Sequence, residues 1–305
     1  MRGKSCRFKG AGNDWVLTFS IALVRQLLMG ALHIRVRFDK RTQPHHYSMQ
    51  EDLAMNAPQT ISNIEHWEER VDLAAAFRWT VRLNMHEAVA NHFSLSINDD
   101  GTRFLMNPNQ MHFSRIRASD LIIVDANDPD TLNRPGAPDP TAWGLHGGLH
   151  RHCPHARCAM HVHSVHATVL ACLKDKRLPP LDQNAAMFHN RIAIDDSYGG
   201  LAFEEEGERC AHLLADPKVK TLIMGNHGVM IIGDTVAETF NRLYYFERAA
   251  QTYITALQTG RPLDILSDEV AEKTASEIEE YPEQDIRHLA ELKAMLDDEG
   301  SNYAT

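Results

Sequence analysis

Cysteine is scarce in this sequence. Its 305 residues include five Cys, which form no Cys-x-x-Cys pair and leave one over from any pairing. Cys158 and Cys172 lie within apolar runs, where a cysteine usually acts as a small buried hydrophobe. This usage fits a reducing cytoplasm and gives no reason to expect cysteine ligands in a metal site.

Clusters of basic residues are also missing from the body of the chain. The formal net charge is −10, with 31 Lys and Arg against 41 Asp and Glu. Proteins that bind nucleic acid need grouped Lys and Arg to neutralise phosphates. The composition therefore argues against a nucleic acid partner.

A long uninterrupted apolar run is absent as well. Basic residues precede the apolar stretch 16–24, as in a signal peptide, but Arg25 and Gln26 interrupt it and no clear cleavage site follows. The stretch is too broken for a transmembrane span, so no membrane partner is expected. We favour a further interpretation, in which translation starts at Met49 or Met55.

Three segments are predicted along the chain. Residues 1–60 form an extension that is disordered or upstream of the true start, and residues 61–262 form the main domain. Residues 263–305 are acidic, with Leu and Ile at helical intervals, and predict a helical tail. This tail either forms a solvated pair of helices or acts as a lid or subunit contact.

The apolar pattern predicts a mixed α/β domain. Apolar residues recur at steps of three and four over residues 64–87, which predicts a first helix. Residues 93–97 and 103–106 flank an Asn-Asp-Asp-Gly turn signal and predict a β-hairpin. The proline-rich residues 127–140 are expected to lack regular structure. Further strands are predicted at 121–124 and 159–163, and helices at 143–152, 167–174, 204–214 and 236–257. A hairpin instead of strict strand–helix alternation favours an α/β sandwich with a largely antiparallel sheet.

Three histidines stand where a metal site can form. His161 and His163 are two positions apart in a predicted strand, so both side chains point to one face while Val162 points to the other. His227 closes a second apolar segment, residues 221–224, just before a glycine. Three neutral imidazoles with an open coordination position are typical of a catalytic site.

Several ordered motifs extend this pattern over about residues 65–260. They are Asn91-His92-Phe93-Ser94, Asn107-Pro108, Leu121-Ile122-Ile123-Val124-Asp125, Leu145-His146, His161-Val162-His163-Ser164, Asn226-His227-Gly228 and Tyr244-Tyr245-x-Glu247. In their order and spacing the chain resembles the class II aldolase/adducin family. That family contains zinc-dependent sugar-phosphate aldolases and epimerases, decarboxylases, a few non-haem iron oxygenases, and adducin head domains that are not known as enzymes. The fold is therefore better defined than the reaction.

The resemblance implies a class II aldolase-like αβα sandwich and a homotetramer with its catalytic site between subunits. It also implies a divalent metal, Zn²⁺ before Fe²⁺ or Mn²⁺, which polarises the substrate and stabilises an enediolate. The metal ligands would be His161, His163 and His227. The substrate-binding positions would be Asn91, Ser94, Asn107 and Thr141.

The acid/base position departs from the family's aldolases. Those enzymes carry Ser-Ser-Glu or Ser-Ser-Asp before a helix that soon contains a His. Alignment on His146 places Pro140, Thr141 and Ala142 there, and Ala142 has no proton to move. A shift in register would bring in Asp139 instead.

The phosphate-binding glycines are also replaced. The family's sugar-phosphate aldolases have Gly-Asn-x-Ser and, after the hairpin, Thr-Gly, where this chain has Asn91-His92-Phe93-Ser94 and Asn109-Gln110. Without both glycines the backbone cannot approach a phosphate as closely. A phosphorylated substrate is therefore not expected.

A proton donor must then come from elsewhere. His92 is the first choice, because an imidazole near the open metal position suits proton transfer near pH 7. Tyr198 is a second candidate, and Glu204, Glu205 and Glu206 at the start of a predicted helix are further ones, although acidic residues are common there for dipole reasons alone.

Two more histidines share a helical face. His146 and His150 are four positions apart and either reach the metal or pack beneath it, and we favour packing. The Leu-His-x-x-x-His pattern, His92 and the Asp196-Ser197-Tyr198-Gly199-Gly200 segment resemble the adducin-like bacterial branch of the family.

The leading hypothesis is a cytoplasmic metal-dependent lyase that cleaves or decarboxylates a small, non-phosphorylated hydroxy- or oxo-acid through an enolate. One alternative is a non-haem iron oxygenase on the same scaffold, since three His can hold Fe²⁺ as well as Zn²⁺. Another is a non-catalytic, adducin-like interaction module.

Overall fold

The computed structural model describes residues 4–10, 13–19, 64–134, 136–198, 200 and 204–305. The chain divides into two compact units, residues 1–58 and 59–305. In the first unit, β1 (Lys4–Gly10) and β2 (Asn13–Phe19) pair as an antiparallel two-stranded sheet. Most of the predicted extension, including Met49 and Met55, lies outside the described residues.

The second unit is built on a seven-stranded sheet with the order β5-β4-β3-β6-β9-β8-β7. All neighbouring strands are antiparallel except β7 and β8, which are parallel. The fold is therefore α/β with a mixed, mostly antiparallel sheet, and the predicted hairpin β3–β4 is confirmed. The strands are β3 (His92–Ser96), β4 (Arg103–Met106), β5 (Ile122–Asp125), β6 (Cys158–Val162), β7 (Ile192–Asp195), β8 (Thr221–Met224) and β9 (Gly228–Gly233).

Eight α-helices accompany the strands in the described part of the chain. They are α1 (Trp67–Arg82), α2 (Pro140–His152), α3 (Val165–Cys172), α4 (Gln183–Ala186), α5 (Glu204–Leu213), α6 (Val236–Gln258), α7 (Asp268–Glu279) and α8 (Gln284–Asp298). A short 3-10 helix, Pro129–Asn133, lies within the segment that was predicted to be irregular. None of the helices in the described residues is long and apolar enough to cross a membrane.

Helix α2 begins three residues earlier than predicted. Pro140 occupies its first turn, where proline loses no hydrogen bond. The Asp139 carboxylate accepts hydrogen bonds from the backbone N–H groups of Thr141 and Ala142. An Asp cap with a following proline fixes a helix start that apolar periodicity does not show.

Apolar side chains cover both faces of the sheet. Phe93, Met160 and Val229 belong to one buried cluster together with residues of α1, α3, α6 and α8. Ala159 and Met230 point the other way and pack with residues of α2 and α5. Because both faces are buried, β6 reads as a continuous apolar run up to its histidine.

The C-terminal helices pack on this unit. Leu289, Leu292 and Leu296 of α8 and the following Tyr303 are buried in the main core. Helix α7 lies at the surface, where Glu272 and Glu279 form ion pairs with the buried guanidinium of Arg191. The picture of two solvated helices is therefore wrong for α8.

The cysteines are free where they are described. Cys158 is buried, as the apolar context predicted, whereas Cys172 is exposed at the end of α3. The expectation for Cys172 was wrong because it faces outward from a short helix whose buried side is formed by Ala167, Leu170 and Ala171.

Candidate metal centre

The register of β6 and β9 assembles the three histidines. Val162 pairs with Val229, so His163 directly after Val162 lies beside the turn that holds His227. One ring nitrogen from each of His161, His163 and His227 lies within 4.8 Å of the others. The structure therefore brings together the three side chains that the sequence selected.

Hydrogen bonds orient two of these rings. His161 Nδ1 lies 3.1 Å from the Val229 carbonyl oxygen, and His163 Nδ1 lies 2.7 Å from a carboxylate oxygen of Glu87. Both acceptors hold a proton on Nδ1, which leaves the Nε2 lone pairs free, as in most metal-binding histidines. Glu87 had no signal in the sequence, because it lies 76 residues before His163.

The remaining nitrogens have the character of metal ligands. The Nε2 atoms of His161 and His163 face each other at 3.0 Å. If both rings are neutral and protonated on Nδ1, the lone pairs of the two Nε2 atoms point at each other and repel. A cation bound between them would relieve this repulsion. His227 Nδ1 is buried without a hydrogen-bond partner. This donor set fits a divalent metal that accepts three imidazoles.

Gly228 allows the close approach of the two ligand segments. A Cβ atom at this position would lie 2.5 Å from the Val162 carbonyl oxygen and 2.9 Å from His163 Cδ2. Asn226, two residues earlier, has a φ of 58°, a left-handed conformation that Asn tolerates better than most residues. The Asn-His-Gly motif is thus a turn required by the packing of His163.

A cavity of about 260 Å³ opens on the three histidines. Five other predicted site residues line it with them: Asn91, His92, Asn107, Thr141 and Tyr198. Asp139, Ala142, Gln110 and Glu206 also line the cavity. Ser94 is not among the lining residues.

Ser94 instead lies beneath the cavity. Its side chain is fully buried, and its Oγ is hydrogen-bonded to His146 Nδ1 and, at 2.7 Å, to His150 Nε2. The structure therefore does not place Ser94 where it can touch a substrate, because helix α2 covers this part of β3. It does place His146 and His150 in the packing position that we favoured.

His92 lies next to the ligands but is less basic than the sequence suggested. It pairs with His161 across β3 and β6, and the two ring centroids are 4.9 Å apart. Burial lowers the pKa of His92 to about 3, with Asp139 opposing the shift. A pKa near 7 was the reason for choosing it, and that reason was wrong, since the ring stays neutral throughout the physiological range.

Glu206 is the carboxylic acid that the structure selects from the predicted triplet. It is buried and lines the cavity, whereas Glu205 is exposed and the side chain of Glu204 lies outside the described residues. Burial raises the pKa of Glu206, while Arg209, 3.7 Å away, opposes the shift. Such a carboxyl is better suited to donating a proton than an exposed one.

Tyr198 stands at the mouth of the cavity. Its side chain is 52% exposed, and its ring centroid lies 5.8 Å from that of His227. Its side chain therefore faces both solvent and the cavity.

The residues aligned with the acid of the family's aldolases lie at the capped start of helix α2. Ala142 is buried, and the carboxylate of Asp139 accepts hydrogen bonds from the Thr141 N–H and hydroxyl at 2.9 and 2.5 Å. Asp139 lines the cavity, as expected from the alternative alignment register. Its carboxylate, however, already accepts the hydrogen bonds that cap α2.

Two side-chain amides, those of Asn91 and Asn107, also line the cavity. The side-chain Oδ1 of Asn91 accepts a hydrogen bond from the Glu87 N–H at 2.7 Å, and Asn91 Nδ2 is buried without a partner. Asn107 accepts the Phe93 N–H at 3.1 Å and thereby ties the start of β3 to the end of β4. Gln110, where the family has glycine, keeps a left-handed φ of 60° and presents a side chain to the cavity.

Comparison with known proteins gives the class. Residues 71–254 match the model of the class II aldolase and adducin N-terminal domain. The chain is 32% identical over 207 residues to the "Putative aldolase class 2 protein" of Caulobacter vibrioides, which covers 68% of this chain and 79% of that protein. The chain therefore belongs to the class II aldolase and adducin family, as its motifs indicated.

Two further similarities show the range of that family. A solved aldolase II superfamily protein from Pseudomonas syringae superposes with a TM-score of 0.70 at 26% identity, covering 84% of this chain and all of that one. A relative from Streptomyces roseochromogenus, named 4-hydroxy-3-prenylphenylpyruvate oxygenase/4-hydroxy-3-prenylbenzoate synthase, is 27% identical over 64% of this chain and 66% of its own length. Aldolase-named and oxygenase-named proteins thus share this sequence pattern.

Proposed function

We propose that the protein is a metal-dependent lyase that cleaves or decarboxylates a small hydroxy- or oxo-acid through an enolate. The observation that carries the proposal is the convergence of His161, His163 and His227 within 4.8 Å in a cavity that also holds titratable side chains. Each bound divalent ion would polarise a substrate carbonyl as a Lewis acid and thereby make the enolate accessible. Zinc is our first choice of metal, before iron or manganese.

The chain's own residues divide the proton chemistry. His92 is neutral and accepts a hydrogen bond from a substrate hydroxyl, while Glu206 and Tyr198 are placed to deliver a proton to the carbon that gains charge. The pKa shifts of His92 and Glu206 support this division, since burial lowers the pKa of His92 to about 3 and raises that of Glu206. Environments that push two pKa values apart are how neighbouring groups take opposite roles.

The polar lining suits a carboxylate or a hydroxyl better than a phosphate. Asn91 Nδ2 is a donor without a partner, and Thr141 and Asn107 also line the cavity. Among the residues described as lining the cavity there is no Lys or Arg to neutralise a phosphate. The substrate is therefore a small acid without a phosphate group.

The setting of the site completes the proposal. The helices on both faces of the sheet form an αβα sandwich, and the protein works as a homotetramer in the cytoplasm. Free cysteines, including the exposed Cys172, support that compartment.

The test is turnover of hydroxy- and oxo-acids by zinc-loaded protein, followed by mass spectrometry of the products. His161→Ala is expected to remove turnover and metal together. As a matched control, His212→Ala replaces an exposed histidine on α5 and is expected to leave both unchanged. Equal turnover by His161→Ala and the parent would show that the site is misassigned.

An iron-dependent oxygenase is the second candidate. The Streptomyces relative with an oxygenase name supports it, and three imidazoles hold Fe²⁺ as well as Zn²⁺. Dioxygen consumption by iron-loaded protein with a 2-oxo acid would favour it over the lyase. A protein that assembles and interacts normally without metal would favour an adducin-like module instead.

A further inference from the structure

A chain of hydrogen bonds runs from the cavity into the protein beneath it. His92 Nδ1 lies 2.8 Å from His146 Nε2, and His146 Nδ1 is hydrogen-bonded to Ser94 Oγ. Ser94 Oγ lies 2.7 Å from His150 Nε2, and His150 Nδ1 lies 2.6 Å from the Ala156 carbonyl oxygen. Four side chains of β3 and α2 thus form one continuous chain of hydrogen bonds.

The Ala156 carbonyl at the buried end of this chain determines which atom donates in each of its hydrogen bonds. A carbonyl oxygen can only accept, so His150 Nδ1 must carry the proton and, in a neutral ring, His150 Nε2 must accept. Ser94 then gives its single proton to His150, and its oxygen accepts from His146 Nδ1. His146 Nε2 is left as an acceptor, and His92 Nδ1 donates to it.

The rings are held neutral by their surroundings. His146 is fully buried, and His150 and His92 are only 3% and 7% exposed. Burial lowers the pKa of His150 to about 4, and that of His146 well below its usual value. No carboxylate is hydrogen-bonded to any of the three rings in the described part of the chain.

We propose that the Ala156 carbonyl, acting through His150, Ser94 and His146, fixes His92 in the tautomer that presents an Nε2 lone pair to the cavity. No described residue is hydrogen-bonded to that Nε2. His92 is therefore an acceptor in the resting site, and His146, Ser94 and His150 are positioning residues that keep it so. The opposite direction would set a bare His150 Nδ1 against a carbonyl lone pair at 2.6 Å.

The hydrogen-bond acceptor at His92 Nε2 restricts the class of substrate that the site can bind. The inference about substrate rests on the proposed function, whereas the tautomers do not. An acceptor at His92 favours a molecule with a hydroxyl at that point over one with a carbonyl or carboxylate oxygen there, because two acceptors repel. It therefore favours hydroxy-acids over oxo-acids as substrates of this site.

Nitrogen-15 NMR of the full-length, histidine-labelled protein reads the tautomers directly. The spectra are recorded before and after removal of metal by a chelator, with His92→Gln, His146→Gln and His150→Gln used for assignment. The parent is expected to show all three rings protonated on Nδ1. An Nε2-protonated His150 or His92 in the parent overturns the proposal without any variant having to fold.

Ser94→Ala tests the coupling between the rings. It is expected to leave His150 protonated on Nδ1, while His146 and His92 lose the fixed form and shift toward Nε2 protonation. Ser96→Ala is the matched control, because Ser96 is a buried hydroxyl on the same strand that donates to the Asn98 carbonyl instead. An unchanged His92 tautomer in Ser94→Ala would show that the chain does not set it.

The two hypotheses fail separately. If all three tautomers are as expected but His161→Ala does not affect turnover, the assignment of the metal site is wrong and the hydrogen-bond chain stands. If turnover needs His161 but His92 is protonated on Nε2, the chain's direction is wrong and the metal site stands.

Discussion

At the level of single residues, the contact between His163 and Glu87 has the clearest consequence. The carboxylate lies 2.7 Å from Nδ1, holds the proton there and directs Nε2 toward the other ligands. Glu87 is at the surface, so the contact adds little to stability. Its effect falls instead on the orientation and basicity of one ligand.

We therefore predict that Glu87→Ala weakens zinc binding by about 10- to 100-fold, the usual result of losing an outer partner of a metal-bound histidine. Competition with a chromophoric chelator measures the affinity. Glu68→Ala is the control, since Glu68 is an exposed carboxylate in the first turn of α1. Equal affinities for the two variants would mean that Glu87 does not orient His163.

At the level of elements, the join between β6 and α3 holds the second ligand in place. Glu247 of α6 accepts hydrogen bonds from the backbone N–H groups of His166 and Ala167, both at 3.0 Å. It also accepts the Ser164 hydroxyl at 2.7 Å. A carboxylate from a neighbouring helix thus caps the start of α3, directly after His163.

Glu247→Ala is predicted to lower the free energy of unfolding by about 3 kcal/mol, because it leaves buried N–H groups of α3 without acceptors. Urea denaturation measures the change, and zinc affinity should fall with it because His163 precedes the cap. Arg248→Ala changes the exposed neighbour on α6 and should have little effect. A midpoint equal to that of the parent would contradict the capping role.

The strands and helices also explain which site residues could be predicted from the sequence and which could not. His161 and His163 were predictable because side chains alternate along a strand, and His227 because it ends the next apolar run. Ser94 was misplaced because alternation in β3 gives His92, Ser94 and Ser96 one face but does not say what covers it. Helix α2 covers this face, and its residues His146 and His150 are hydrogen-bonded to the Ser94 hydroxyl.

Long-range partners were equally beyond prediction. Glu87 gave no signal in the sequence, and only the tertiary fold brings it to His163. Glu206 was one of three candidate acids, and only the tertiary fold shows that it is the buried one. The helical pattern of α8 was correctly predicted. Its burial against α1 and α6 was not, because half of its residues are charged or polar.

At the level of the whole molecule, buried neutral histidines make stability depend on pH. Burial lowers the folded-state pKa of His150 to about 4, below the value of about 6.5 in an unfolded chain. Between these values the unfolded state binds more protons, so stability is complete above about pH 6.5 and is lost as the pH falls toward 4.

Each such histidine is expected to contribute a slope of about 1.4 kcal/mol per pH unit within that window. Urea unfolding of metal-free protein at a series of pH values gives the slope for the parent. His150→Gln should have a shallower slope, whatever its absolute stability. Identical slopes would show that His150 is not buried as a neutral ring.

Three histidines are proposed to form one metal site per chain. The most direct test is elemental mass spectrometry of protein purified without chelator or affinity metal, with His161→Ala and His212→Ala prepared alongside. We expect one divalent ion, zinc, per chain in the parent and in His212→Ala, and its loss in His161→Ala. Substoichiometric metal in the parent, or equal metal in all three proteins, would contradict it.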